Sequence, residues 1–331
     1  MNSLGKTGIF VNKIGCGGIP IQRVTQEEVN RMVDEMINRK MNFIDSARGY
    51  TNSEKMFGVA LRNKRDNFVV ATKSMARDYE GMMNDVYQSL KNFETEYIDL
   101  YQIHNVSLDE DYSGALKALL EAKKIGLVKH IGVTTHSLDF LKIAIENDQF
   151  ETIQYPYNIV ERQAEDLFKQ AKQKNIGVIV MKPFAGGAIK ECETALKFLL
   201  SNENVSVIIP GMESVEQVIN NEECLRKKLD ERDNVLIKKN LKDFDEVFCR
   251  RCGYCLPCSK GINIPFVFLC EGYYTRYGLK EWALSRYKTL GINSNTCIKC
   301  GKCEKKCPYG LKIINKLAKA IKVMEQDDEK V

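Results

Sequence analysis

The chain has 331 residues, 44% of them apolar and 28% charged, with a formal charge of +5. These are globular proportions, with room for two domains or for one barrel and a small appendage. No apolar run is long enough to span a bilayer and no apolar N-terminal targeting stretch stands out, so a membrane role is excluded and a cytoplasmic location is expected.

Along the first 235 residues, short apolar runs alternate with amphipathic stretches, the pattern of repeated β/α units around a parallel sheet. The candidate strands are Ile14–Gly18, Asn42–Ser46, Phe68–Lys73, Asp99–His104, Lys129–Thr134, Thr152–Tyr155, Gly177–Met181 and Val205–Pro210. Helical patterns lie between them at Gln26–Arg39, Met82–Asn92, Tyr112–Lys124 and Ala164–Lys174. Eight such strands close naturally into a (β/α)8 TIM barrel, expected over residues 1–235. In that fold the C-terminal strand ends face the active-site mouth. Asp45, Lys73 and His104 end three consecutive strands, and Tyr50 follows Asp45 by five residues. Singly, each has an ordinary explanation as a turn cap, a solvated lysine or a core histidine. At neighbouring strand ends they converge on one cavity.

A linker helix is expected over 236–248, and beyond it a small, mainly helical, ferredoxin-like domain over 249–331. Eight of the twelve cysteines fall there in two runs, Cys249-Cys252-Cys255-Cys258 and Cys297-Cys300-Cys303-Cys307, the second ending in Pro308. Two-residue gaps let successive thiolates wrap one cubane face, and the fourth cysteine of each run can reach the other cluster. The spacing therefore suggests two [4Fe–4S] clusters with crossed ligation: Cys249, Cys252, Cys255 and Cys307 on one, Cys297, Cys300, Cys303 and Cys258 on the other. Cys258 departs from pattern, with two residues in its last gap instead of three and Ser259 in place of proline. Paired zinc knuckles are the alternative, since CxxC pairs also build tetrahedral thiolate sites. Disulfides fit less well, because nothing marks the chain for secretion.

Each oxidised cubane with its thiolates carries about −2, so two would bring the total near +1 and remove the electrostatic case for nucleic acid. The tail lysines Lys302, Lys305, Lys306, Lys312, Lys316, Lys319 and Lys322 alternate with Ile313, Ile314, Leu317, Ala320 and Ile321 at helical spacing. They read as a solvated helix face or a docking surface for an acidic electron-transfer partner. Phe266, Phe268, Tyr273, Tyr274, Tyr277 and Trp282 could fill the core of the small domain or cover the barrel mouth. Cys16, Cys192 and Cys224 read as buried small residues and Cys270 as a spare within the small domain.

Leu4-Gly5-Lys6-Thr7-Gly8, FIDSARGY (Phe43–Tyr50), ATKS (Ala71–Ser74), IDLYQIH (Ile98–His104), IGVT (Ile131–Thr134) and IIPG (Ile208–Gly211) resemble the aldo-keto reductases over roughly residues 1 to 225. With the cysteine runs, the whole chain resembles members fused to a C-terminal ferredoxin-like domain. The resemblance implies a catalytic tetrad of Asp45, Tyr50, Lys73 and His104 and a nicotinamide cofactor, NADPH or NADH, lying extended across the barrel mouth. It implies a small-molecule carbonyl or alcohol substrate. By resemblance, Thr134 and Gln154 hold the carboxamide, and Gly211, Gln217 and Asn221 lie where an adenosine 2′-phosphate is gripped; Lys182 reads either as a pyrophosphate contact or as a solvated lysine. Gly211 and Gln217 stand where lysine and arginine are usual, so the cationic fork for a phosphate is missing. Met181 replaces a stacking aromatic and Thr135 an amide-holding asparagine. The function expected is NAD(P)H-dependent hydride transfer, with clusters exchanging electrons with a ferredoxin or flavodoxin. The alternatives are a ferredoxin-type electron carrier with the barrel as docking scaffold, or clusters that are purely structural.

Overall fold

The computed structural model describes residues 1–244 and 248–325. It begins with an antiparallel hairpin of β1 (Asn2–Ser3) and β2 (Phe10–Val11). Gly5 at its turn has φ +59°, and a Cβ there would lie 2.2 Å from Gly177 N, so no side chain fits. That close approach seats Leu4 and Val11 in one buried cluster with Phe43, Val69, Leu100, Ile179 and Val207.

The barrel follows in strict alternation. Its elements are β3 (Cys16–Gly17), α1 (Gln26–Asn38), β4 (Phe43–Asp45), α2 (Ser53–Ala60), β5 (Val69–Ser74), α3 (Tyr79–Phe93), β6 (Ile98–Ile103) and α4 (Ser113–Lys124). Then come β7 (Val128–Thr134), α5 (Leu138–Glu146), β8 (Thr152–Pro156), α6 (Glu165–Gln173), β9 (Gly177–Met181), α7 (Cys192–Leu200), β10 (Val207–Ile208) and α8 (Val215–Glu223). The strands β3 to β10 pair in parallel in chain order. The ring closes where Gly15 N donates to Ile208 O and Gly17 N to Pro210 O, both at 2.8 Å. This is the (β/α)8 barrel that the alternation of patterns predicts. Helices form where a cap and an apolar stripe coincide: Thr25 accepts from Glu28 N ahead of α1, whose Val29, Met32, Val33 and Met36 are buried at helical spacing.

The chain divides into two compact units, Met1–Ala185 with Glu191–Leu236, and Gly186–Lys190 with the chain from Ile237 onward. The helix α9 (Glu231–Phe244) runs through the boundary. Of the expected linker helix, residues 236–244 lie in α9 and 245–247 lie outside the described residues. The second unit contains α10 (Ile264–Thr275), α11 (Lys280–Lys288), α12 (Lys302–Lys306) and α13 (Ile313–Glu325). Val267, Phe268, Tyr273, Leu317 and Ile321 are buried there, and Tyr273 packs on Trp282 with ring centroids 4.3 Å apart. Lys312, just ahead of α13, and Lys319 and Lys322 within it are exposed, whereas Lys316 is half-buried over the Phe268 ring.

One expectation fails. Cys192 is exposed, because it opens α7 just ahead of the face that buries Thr194, Ala195 and Phe198, while Cys16, Cys224 and Cys270 are buried. Among the described residues, no helix is long and apolar enough to cross a membrane.

Candidate active site and thiol cages

Strand alternation builds the mouth of the barrel. Phe43, Ala71 and Leu100 belong to the apolar interior, so Asp45, Lys73 and Gln102, two residues on, share their inward face one layer higher. Lys73 forms an ion pair with Asp45 and also donates to Ser46 O at 2.7 Å; the two side chains are only 1% and 3% exposed. Asp45 accepts further from Gln102 Nε2 at 3.2 Å and from Gln154 Nε2 at 3.5 Å. Burial pushes the Lys73 ammonium down and the Asp45 carboxyl up from their ordinary values, and the attraction between them works against both shifts.

Tyr50 stands over this pair. Lys73 Nζ lies 5.1 Å from the centre of its ring, and the His104 ring meets it edge-on, with centroids 6.1 Å apart and planes at 87°. Burial, followed by the charges of Lys73, Arg77 and Lys182, pushes His104 well below the usual histidine range. The imidazole is therefore neutral near pH 7. Its Nδ1 is buried without a hydrogen-bond partner among the described residues. Arg77 fixes its backbone by donating to His104 O at 2.9 Å. The four residues expected at the site are thus brought together.

The segment carrying Tyr50 is held by charges that sequence reasoning passed over. Glu54 is buried in α2 and accepts from Arg48 at 2.7 Å, Thr72 at 2.7 Å, Ser89 at 2.9 Å and Asn92 at 2.8 Å. Arg48 also reaches Asp85 at 3.1 Å. The available signals were a lone acid among the apolar residues of α2 and a lone glutamine, Gln102, two residues before His104 in an apolar strand. Glu54→Ala leaves Arg48 with Asp85 alone and takes the acceptor from the buried Thr72 and Asn92 donors, an expected cost of about 2–3 kcal/mol. Urea unfolding of the barrel reads it, and a midpoint unchanged from the parent would show that the network does not hold the segment.

Of the residues expected at a nucleotide, Thr134, Gln154 and Lys182 meet the same rim. Thr134 Oγ1 accepts from Asn105 N at 2.7 Å, directly after His104. Gln154 Oε1 is buried with no partner among the described residues, the acceptor a carboxamide N–H needs. Lys182 has φ +57°, a left-handed turn that Asn158 Nδ2 holds by donating to its carbonyl at 3.0 Å. Gly211, Gln217 and Asn221 make a different picture. A Cβ on Gly211 would lie 2.8 Å from Pro20 Cγ. Gln217 Oε1 is taken by Glu213 N at 3.0 Å, and Asn221 is buried in α8. Glu213 itself pairs with Arg23 at 2.5 Å, so this cation arrives already neutralised. Thr135 Oγ1 donates to Val106 O at 2.7 Å, and Met181 joins the buried cluster.

In the second unit the eight cysteines sort into two cages. One pocket is lined by Cys249, Cys252, Cys255 and Cys307 among Phe248, Arg250, Arg251, Ile264, Phe268 and Leu311. The other is lined by Cys258, Cys297, Cys300 and Cys303, and Cys255 lines it as well. The two runs turn alike: Arg251 and Gly253 have φ of 56° and 86°, Lys299 and Gly301 of 54° and 75°. Backbone N–H groups then face the sulfurs, Lys260 N donating to Cys258 Sγ at 3.4 Å, Arg251 to Cys249 and Lys302 to Cys300.

Burial pushes the Cys255 thiol up to about 12, so thiolates here need a strong cation beside them. Bridged iron and sulfide would supply that charge.

Known proteins bear on both units. Residues 13–194 match the Aldo/keto reductase family, and residues 248–312 match the 4Fe-4S dicluster domain. L-galactose dehydrogenase of Arabidopsis thaliana is 27% identical over 276 residues, 67% of this chain and 86% of that protein. Aldo-keto reductase YhdN of Bacillus subtilis is 29% identical over 211 residues, 56% of this chain and 62% of the relative. Among solved structures, the holo form of aldo-keto reductase AKR11C1 from Bacillus halodurans aligns with a TM-score of 0.65 at 22% identity, over 72% of this chain and 94% of that one, which shows the shared barrel.

Proposed function

Since the chain belongs to the aldo/keto reductase family and ends in a 4Fe-4S dicluster domain, we propose that it interconverts a small carbonyl compound and its alcohol with a nicotinamide cofactor, and that two [4Fe–4S] clusters serve electron transfer. The observation that carries this reading is the buried Lys73–Asp45 pair beneath the Tyr50 ring, with neutral His104 edge-on to it.

A reduced nicotinamide, when bound, supplies the hydride. The proton for the carbonyl oxygen comes from Tyr50, a poor acid at its ordinary pKa of about 10. The Lys73 ammonium favours the phenolate and so makes the proton easier to give, while Asp45 keeps that ammonium charged and in place. His104, being neutral, donates a hydrogen bond to the oxygen as negative charge grows there without bringing a proton of its own. In the alcohol-oxidising direction the same groups accept what they gave. Gln154 offers its unpartnered carbonyl to the carboxamide, with Thr134 beside it and Lys182 toward the pyrophosphate. Gly211, Gln217 and Asn221 present no cation to a 2′-phosphate, so NADH is the preferred nucleotide, bound more tightly than NADPH in an anaerobic fluorescence titration.

A hydride carries two electrons and a cubane accepts one at a time, so the clusters are assigned to a separate exchange with a ferredoxin or flavodoxin. The missing phosphate grip favours a second reading, an electron carrier in which the barrel is scaffold; failure to bind either nucleotide would support it. For the clusters, anaerobic analysis should give about eight iron and eight sulfide per chain. Cys307→Ser should lower both toward four. About two zinc and no sulfide would overturn the cluster assignment.

A further inference from the structure

We infer that the rim of the second thiol cage is the docking site for an acidic one-electron carrier protein of the ferredoxin type. This rests on reading that cage as a [4Fe–4S] site.

The two cages differ in their surroundings. The first is walled by Phe248, Ile264, Phe268, Leu311 and Ile313, and its two cations, Arg250 and Arg251, are half-buried. The second is lined by Lys260, Lys299 and Lys302 and by no Asp or Glu. These three lysines are exposed, as is Cys300. Ile298, set between Cys297 and Lys299, is 56% exposed. Exposed Lys305 and Lys306 continue the positive charge along α12. Glu304, the only acid between Cys297 and Lys312, is committed elsewhere, its Oε1 accepting from Ile314 N at 2.9 Å.

Electron transfer falls off steeply with distance, so a carrier must dock where the iron comes nearest the surface. Of the two cages, the second has the exposed cysteine. An apolar side chain inside a charged rim is the make-up of a small interface, and transient redox encounters bury little area. An oxidised cubane with four thiolates carries about −2, which three lysines outweigh. The face stays positive, steering an acidic partner toward it and a basic one away. Lys312, just ahead of α13, and Lys319 and Lys322 on it offer a competing surface, but none of them lines the cage.

The test titrates the iron-loaded chain with a purified acidic ferredoxin by calorimetry, with a basic cytochrome c as the opposite-charge control and iron and sulfide assayed in every variant. The ferredoxin should bind, and its affinity should fall at least about tenfold between 50 and 500 mM NaCl, as screening removes a charge-driven contact. The triple variant K260E/K299E/K302E should bind at least about tenfold more weakly with iron and sulfide unchanged, while K319E/K322E binds like the parent. Equal binding by parent and triple variant, a comparable loss in K319E/K322E, or preference for the cytochrome would overturn the docking site. An iron-free chain would instead overturn the cluster reading beneath it, and the iron assay detects that separately.

Discussion

Tyr50→Phe should lower kcat by about 10²–10⁴-fold, the range that one positioned proton donor contributes, while nucleotide affinity and iron content stay at parental values. The ring is retained, so its edge contact with His104 at 6.1 Å and its place over Lys73 survive; only the hydroxyl is lost. Steady-state reduction of a small aldehyde, followed through nicotinamide absorbance, gives kcat. Fluorescence titration gives the affinity. Turnover at the parental rate would remove Tyr50 from the chemistry.

Lys73→Met should act twice. Loss of the ammonium leaves Asp45 buried with only Gln102 and Gln154 as donors, a destabilisation of about 3–5 kcal/mol. Loss of its charge also withdraws the help given to the phenol, and kcat at pH 7 should fall by about 10²–10³-fold. The two effects separate in the double variant Asp45→Asn with Lys73→Met. There the uncompensated charge is gone and the urea midpoint should recover, while kcat stays low. Recovery of both would mean that Lys73 supports the fold alone. Because His104 is held neutral, none of these rates should show a histidine ionisation between pH 6 and 8.

The barrel was readable in the sequence because its strands are covered on both sides and so appear as nearly continuous apolar runs. The ladder shrinks only at the seam, where β3 and β10 keep two residues each and backbone bonds from Gly15 and Gly17 complete the closure. The hairpin below it went unseen, since two-residue strands carry no period. Asp45, Lys73 and His104 stood out as ionisable residues ending apolar runs. Glu54 and Arg48 did not, because a buried charge network depends on partners such as Asn92 and Asp85 that only folding brings near. In the second unit α13 showed itself by its lysine and apolar spacing. Helix α10 did not, since Ile264, Val267, Phe268, Cys270 and Tyr273 are buried around it and leave no polar stripe. The crossed grouping read from the cysteine spacing agrees with the pocket linings except that Cys255 lines both.

The proposal that the barrel mouth delivers a hydride and Tyr50 a proton is tested most directly with NADH carrying deuterium at both C4 positions and a panel of small aldehydes and ketones. Mass spectrometry of the alcohols formed anaerobically should show one deuterium on the carbinol carbon, and at least about 100-fold slower alcohol formation by Tyr50→Phe. Alcohol formed without deuterium, or no alcohol from any carbonyl offered to the parent protein, would contradict it.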